Sequence, residues 1–227
     1  MLGIVLALFI SIGLPLVALL YAVYTKRYIP FLLGMIAFIV AQLVIRLPLL
    51  EYLQIYSATY LMMSVRQPVL FAVVIGLSAG VFEELARFIL MRFLMKQRDW
   101  WSGFLFGVGH GGIEAVLFVG ASALTIVFSA TANVYNIDFL IGGIERFFAI
   151  LLHIGLSTIV LQGLVKRKFI YIVLAIIIHG FVDAMVGILP LFMSRNAALI
   201  VTEVSLAIIA LSVCSYSLSI KRREVLQ

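Results

Sequence analysis

Long apolar runs alternate with short polar or basic segments along the chain. The runs cover approximately residues 2–24, 30–50, 68–95, 100–128, 140–165, 169–190 and 197–219. A helix of about 20 predominantly apolar residues is long enough to cross the hydrocarbon core of a bilayer. The pattern therefore predicts an all-α fold, a polytopic transmembrane helix bundle of about seven spans.

The connection between the second and third runs is more polar than its neighbours. Residues 52–67 contain three tyrosines and Arg66, and tyrosine is enriched where proteins cross the membrane–water interface. This composition predicts a short helix lying in the interface, followed by a third span that opens at Pro68. The segment from Thr131 to Asp138 is predicted to be a polar loop.

The composition leaves little room for a soluble domain. Hydrophobic residues make up 65% of the 227 residues and charged residues 11%, with a mean hydropathy of +1.24, whereas a soluble domain is about half apolar and about a quarter charged. We expect residues 1–227 to form a single integral membrane domain with its functional core over about 68–192. The first run lacks a basic leading segment, so we interpret it as a retained span rather than a signal peptide. The lone Cys214 excludes an intramolecular disulfide and a thiolate metal site.

The formal net charge of +6 comes from short basic clusters, which report membrane topology rather than nucleic-acid binding. If the spans alternate, most basic residues fall at one side of the membrane: Lys26, Arg27, Lys96, Arg98, Lys166, Arg167, Lys168, Lys221, Arg222 and Arg223. Only Arg66 and Arg195 fall at the other side. We therefore expect a multi-pass protein, of the plasma (cytoplasmic) membrane, with its N-terminus outside and its C-terminus in the cytoplasm.

The third run contains an unusual charged stretch. Glu83, Glu84 and Arg87 place three charges within five residues of an apolar segment, although a charge at the bilayer centre costs roughly 2.5 to 3.5 kcal/mol on insertion scales. Such residues indicate a functional site by default. The i, i+4 spacing makes Glu83 the expected ion-pair partner of Arg87 and leaves Glu84 freer.

The histidines of the chain share the depth of these carboxylates. His110, His153 and His179 lie on three further spans, each about 10 to 12 residues from the predicted cytoplasmic end, as the glutamates do. At a rise of 1.5 Å per residue this places all of them roughly 15 to 18 Å deep. We expect a layer of ionisable groups built from four spans.

Acidic and basic side chains accompany the histidines at helical spacing. Glu114 follows His110 by four residues and Asp183 follows His179 by four, so each acid lies on the face of its histidine. The acids are predicted to orient the imidazoles or to act as ligands themselves. Arg146, with Glu145 beside it, lies on the face of His153.

Three imidazoles and a free carboxylate provide the groups of a zinc hydrolase. The histidines would bind Zn²⁺ and leave a position for water, and a carboxylate would accept the proton of that water. Glu83 and Glu84 are both candidates for this base.

The charged motifs resemble those of the glutamic-type intramembrane metalloproteases of the CPBP and PrsW superfamily, most closely the YhfC-type branch. The similar segments are Glu83-Glu84-x-x-Arg87, Phe106-x-x-x-His110 within Gly107-x-Gly-His-Gly-Gly-x-Glu114, and His179-x-x-x-Asp183. They span about residues 80–185. The resemblance implies an all-helical core in which glutamate and histidine from separate spans bind or activate a water, with or through zinc.

We therefore predict an intramembrane zinc metalloprotease that cuts a membrane-embedded or membrane-proximal peptide. In this prediction Glu83 or Glu84 is the base, His110, His153 and His179 are the metal ligands, and Arg87 pairs with a glutamate or stabilises developing negative charge. Glu114 and Asp183 orient the ligands, with Arg146 and Glu145 in support. Two alternatives remain: a proton- or cation-coupled transporter that uses the acidic layer, and a non-catalytic membrane scaffold.

Small and isolated polar residues complete the sequence-based picture. Gly103, Gly107 and Gly111 recur every four residues, which predicts close helix packing. Gly109 and Gly112 flank the site, and we expect them to let a substrate backbone approach. Arg46 and Glu203 are interpreted as structural or supporting charges within their spans.

Overall fold

The computed structural model describes residues 1–128 and 136–225, and all regular structure in these ranges is helical. Within these ranges, seven helices are long and apolar enough to cross a membrane, which confirms the predicted architecture: Leu2–Tyr24, Tyr28–Tyr56, Pro68–Phe93, Trp100–Val127, Asn136–Val165, Ile170–Leu191 and Arg195–Arg223. The last of these helices continues to Val225. The predicted orientation of the termini stays a prediction.

Two predicted boundaries differ from the structure. The second span continues to Tyr56, beyond its predicted end near residue 50, and the separate short helix is Ala58–Arg66, begun by Ser57, whose side chain accepts a hydrogen bond from the Tyr60 amide. Of the predicted polar loop, residues 131–135 lie outside the described ranges. Its last residues belong to the fifth span, where Asn136 Oδ1 accepts from the Gly3 amide at 2.8 Å.

The fifth span is the most enclosed of the seven. The spans that carry the other ionisable residues pack around it. The fourth and seventh spans lie against it, the sixth packs along the third, and the second packs along the fourth. Glu83, His110, His153 and His179 therefore approach one another from the third, fourth, fifth and sixth spans. The layer expected from the sequence forms in this centre.

Glycines bring these helices close together. A Cβ at Gly107 would lie 2.5 Å from the Ile154 Cα of the fifth span, as predicted for helix packing. A Cβ at Gly109 would lie only 2.1 Å from the Phe31 carbonyl oxygen of the second span, and one at Gly112 would lie 2.9 Å from Pro15. The expectation that Gly109 and Gly112 admit a substrate backbone is therefore wrong, because neighbouring helices occupy that space.

Asp99 begins the fourth span and ties it to the loop after the first. Its carboxylate accepts hydrogen bonds from the Ser102 amide at 2.9 Å, from Ser102 Oγ at 2.6 Å and from Arg27 Nη1 at 2.5 Å. Burial alone would raise the pKa of the Asp99 carboxyl, but the bonds from Ser102 and Arg27 outweigh it and hold the pKa below its ordinary value. The capped helix start thus favours the ionised carboxylate.

Candidate metal centre

Glu84 and Arg87 form a buried ion pair within the third span. Both side chains are fully buried, and Arg87 Nη1 donates to the two Glu84 carboxylate oxygens at 2.9 and 2.7 Å. The expected pairing of Arg87 with Glu83 is wrong. Residues three and four apart are both within reach on a helix, and Glu83 is held by partners from two other spans.

The Glu83 carboxylate is fixed at both oxygens. Gln42 Nε2 of the second span donates to Oε1, and His110 Nε2 of the fourth span lies 2.8 Å from Oε2. His110 is fully buried, and its Nδ1 has no hydrogen-bond partner in the described part of the chain. Glu83 is thus oriented before any ligand binds.

His179 presents one ring nitrogen to the centre of the cluster. Its Nδ1 lies 2.8 Å from Glu84 Oε1, and because that carboxylate can only accept, Nδ1 carries the proton. In the neutral imidazole, the lone pair then lies on Nε2, which can act as a ligand. It lies 3.8 Å from Glu83 Oε2 and 3.8 Å from Asp183 Oδ2, so Asp183 is near its predicted histidine although beyond hydrogen-bond distance.

His153 is held from both sides. Arg87 Nη2 lies 3.1 Å from its Nδ1, and a guanidinium can only donate, so Nδ1 accepts and Nε2 carries the proton. Nε2 donates to Glu114 Oε2 at 2.6 Å. Glu114 therefore orients His153, and the prediction that it orients His110 is wrong. Helical spacing identified the face of Glu114 but not the histidine on the neighbouring span.

The fifth span supports Glu114 with a second ion pair. Arg146 Nη1 donates to Glu114 Oε1 at 2.6 Å, and Arg146 Nη2 donates to Glu145. This agrees with the expectation that Arg146 and Glu145 accompany His153. A continuous chain of polar contacts runs from Glu145 through Arg146 and Glu114 to the imidazole.

Three of these groups lie close enough together to bind one metal ion. Glu83, His153 and His179 each offer a ligand atom, and these atoms lie within 4.8 Å of one another. Two imidazoles and a carboxylate are a donor set that suits zinc. The nitrogen of His179 is free to ligate, whereas His153 would exchange its contact with Arg87 or Glu114 for the ion. His110 lies outside the group, against Glu83.

A cavity of about 260 Å³ opens beside this group. Glu83, His153, His179 and Asp183 line it, and Asp183 is the most accessible of the four, with 40% of its side chain exposed. Glu84, Arg87 and His110 lie behind this wall. Of the two glutamates predicted as the base, only Glu83 can therefore meet a water or substrate in the cavity.

Two residues that the sequence indicates as structural or supporting charges also line this cavity. Glu203 of the seventh span is one of them, and Arg46 of the second span is another. Arg46 Nη1 donates to Gln42 Oε1 at 2.9 Å, and Gln42 in turn donates to Glu83. Gln42 was missed in the sequence. The available signal was an amide four residues before an arginine, on one face of an apolar span.

Comparisons with known proteins agree with the family resemblance. The family model described as YhfC intramembrane metalloprotease matches residues 6–140 and 119–206. An "Uncharacterized membrane protein YhfC" of Bacillus subtilis (strain 168) is 30% identical over 145 residues, which are 52% of this chain and 56% of that relative. The match thus spans little more than half the length of the curated relative, and no solved structure matches. The chain belongs to the YhfC intramembrane metalloprotease family.

Proposed function

We propose that this chain is an intramembrane zinc metalloprotease that hydrolyses a peptide bond of a membrane-embedded or membrane-proximal substrate. The observation that supports this function is the convergence of ligand atoms from Glu83, His153 and His179 beside a polar cavity inside a helix bundle. Ionisable groups within a membrane protein are costly and mark functional sites. A hydrolase also needs a place for water among apolar helices, and the cavity provides one.

The residues of the cluster divide into three roles under this proposal. Glu83, His153 and His179 would hold the ion, which would polarise a substrate carbonyl and lower the pKa of water. His110 and Gln42 hold the Glu83 carboxylate. This division differs from the predicted one, in which His110 was a ligand and Glu83 or Glu84 the base.

Asp183 is the carboxylate best placed to accept a proton from the attacking water. It lines the same cavity, is partly exposed, and lies 3.8 Å from the free nitrogen of His179. Glu84 and Arg87 have no access to the cavity and act by position: Glu84 fixes the tautomer of His179, and Arg87 contacts His153.

Zinc binding by the purified protein tests the ligand assignment. We expect one zinc ion per chain in the wild type, measured by elemental analysis and by calorimetric zinc titration, and substoichiometric zinc in Glu83→Gln, His153→Ala and His179→Ala. Glu203→Gln, which changes a carboxylate in the same cavity, should retain zinc. Full zinc occupancy in all three ligand variants would overturn the assignment.

Cleavage is tested separately in membranes. New N-termini of membrane proteins are compared between cells that express the wild type and cells that express Asp183→Asn. We expect wild-type-dependent cleavage products that disappear with Asp183→Asn, although this variant keeps its zinc. If Glu83→Gln kept its zinc but lost cleavage, Glu83 rather than Asp183 would be the base. Identical N-termini in wild type and all variants would contradict the proposed protease.

A further inference from the structure

A second cavity, of about 540 Å³, lies between the ends of the third, fifth and sixth spans. It shares no lining residue with the cavity of the metal centre. Its basic lining residues are Arg92, Arg98, Arg167 and Lys168, and no acidic residue lines it in the part of the chain that the structure describes. The cavity is therefore a concentrated positive site.

The charges of this cavity are not neutralised by the protein. None of its four basic residues forms an ion pair with another described residue. At the same end of the bundle, Arg27 pairs with Asp99 at 2.5 Å, and Lys221 lies 4.4 Å from the centre of the Trp100 ring. Unlike Arg27 and Lys221, the basic residues of the cavity have no described partner that balances their charge, so they are available to bind an external anion.

Two of the guanidiniums are nevertheless held in place. Arg98 Nη2 donates to the backbone oxygen of Arg92 at 2.9 Å. The Arg92 guanidinium lies 5.9 Å from the ring centre of Phe88 and 5.6 Å from that of Phe93. Guanidinium groups bind phosphate through paired hydrogen bonds, so an ordered arginine pair suits this anion in particular.

The remaining wall of the cavity is apolar and open to the surroundings. Phe93 is 71% exposed and Phe169 is 57% exposed, and both line the cavity beside the basic residues. A free phosphate ion would gain nothing from these rings. A phospholipid would place its phosphate among the cations and its glycerol and first acyl carbons against the aromatic side chains.

We propose that this cavity binds the headgroup of an anionic membrane phospholipid. The site lies at the end of the spans that carries the basic clusters, which is the predicted cytoplasmic side, and basic pockets between spans on that side bind anionic headgroups. The three helices that form it also carry Glu83, His153 and His179. A bound lipid therefore bridges the helices of the metal centre, whether or not the protein is a protease.

Direct lipid binding tests this site. The purified full-length protein in neutral detergent is titrated with phosphatidylglycerol, phosphatidylcholine or inorganic phosphate, and bound lipid is counted by native mass spectrometry alongside thermal unfolding. We expect phosphatidylglycerol to bind and to raise the unfolding temperature, and the other two additions to have no such effect. Arg92→Gln combined with Lys168→Gln should weaken phosphatidylglycerol binding about thirtyfold, a factor of about five per basic residue.

The control removes the same charge from the same end of the bundle. Arg222→Gln combined with Arg223→Gln leaves the cavity unchanged, and it should bind phosphatidylglycerol as the wild type does. If both double variants lost phosphatidylglycerol binding equally, the binding would come from diffuse charge attraction rather than from this cavity, and the proposal would be overturned. Equal stabilisation by inorganic phosphate would also overturn it, in favour of a soluble phosphate ligand.

Discussion

At the scale of single residues, the carboxylate of Glu83 is defined by what other helices donate to it. Gln42 holds one oxygen and His110 the other, and Arg46 holds Gln42 through its amide oxygen at 2.9 Å. Hydrogen-bond partners of metal ligands fix their orientation and raise binding affinity. The amide of Gln42 therefore belongs to the candidate metal centre, because it orients one of its possible ligands.

Replacing Gln42 tests this arrangement. Gln42→Leu removes the donor to Glu83 without changing the charge of the cluster, and we expect zinc affinity to fall by about 10- to 100-fold because Glu83 loses its fixed orientation. Calorimetric zinc titration measures the change. Gln54→Leu is the matched control, because Gln54 is an exposed residue of the same helix. Equal zinc affinities for Gln42→Leu and the wild type would contradict the role of this amide.

At the scale of helices, close approach between spans brings the site together. Gly34 of the second span and Gly109 of the fourth each lie against the backbone of the other helix. A Cβ at Gly34 would lie 2.1 Å from the Phe106 oxygen, and one at Gly109 would lie 2.1 Å from the Phe31 oxygen. This contact places Gln42 of one helix near His110 of the other, around Glu83. The second span is also π-helical from Ile39 to Arg46, a form that occurs frequently at functional sites.

A methyl group at Gly109 should separate these two helices. We expect Gly109→Ala to destabilise the protein by about 1 to 3 kcal/mol, the usual cost of overpacking, since the obstacle is rigid backbone rather than a flexible side chain. Thermal unfolding in detergent measures the loss. Gly142→Ala provides the control, because its Cβ would make only an ordinary contact of 3.6 Å with Val119. A Gly109→Ala protein as stable as the Gly142→Ala protein would refute the close contact.

At the scale of the whole molecule, the basic clusters lie together at one end of the bundle. Lys221, near the C-terminus, reaches the rings of Trp100 and Trp101 at the start of the fourth span. Arg27, after the first span, pairs with Asp99 before the fourth. The loops that the sequence assigns to one side thus contact each other, and the excess of cations there predicts a cytoplasmic face.

Reporter fusions test this orientation. Green fluorescent protein fused at the C-terminus should fluoresce, because that terminus is predicted to be cytoplasmic. Alkaline phosphatase inserted after Gln67 should be active, because the basic loops place that segment on the opposite side. The same phosphatase inserted after Lys96 is the control and should be inactive. The reverse pattern would invert the predicted topology.

The sequence was sufficient for the number of spans and for the ionisable members of the polar layer, although not for Gln42. Apolar length identifies a helix that crosses the membrane, and the cost of burying charge singles out Glu83, Glu84 and Arg87 without any knowledge of tertiary contacts. Equal depth then brings in the three histidines. These inferences succeed because length, composition and depth are properties of each helix alone.

The tertiary structure decided which side chains meet. Within one helix, spacing allows Arg87 to pair with Glu83 or with Glu84. Residues of other spans bind the Glu83 carboxylate, and Arg87 pairs with Glu84. Glu114 likewise binds His153 of another helix rather than His110 of its own. Partners between helices depend on the rotation and approach of each helix, which are set by backbone contacts such as those at Gly109. Periodicity determines the faces of a helix, but only packing determines what each face touches.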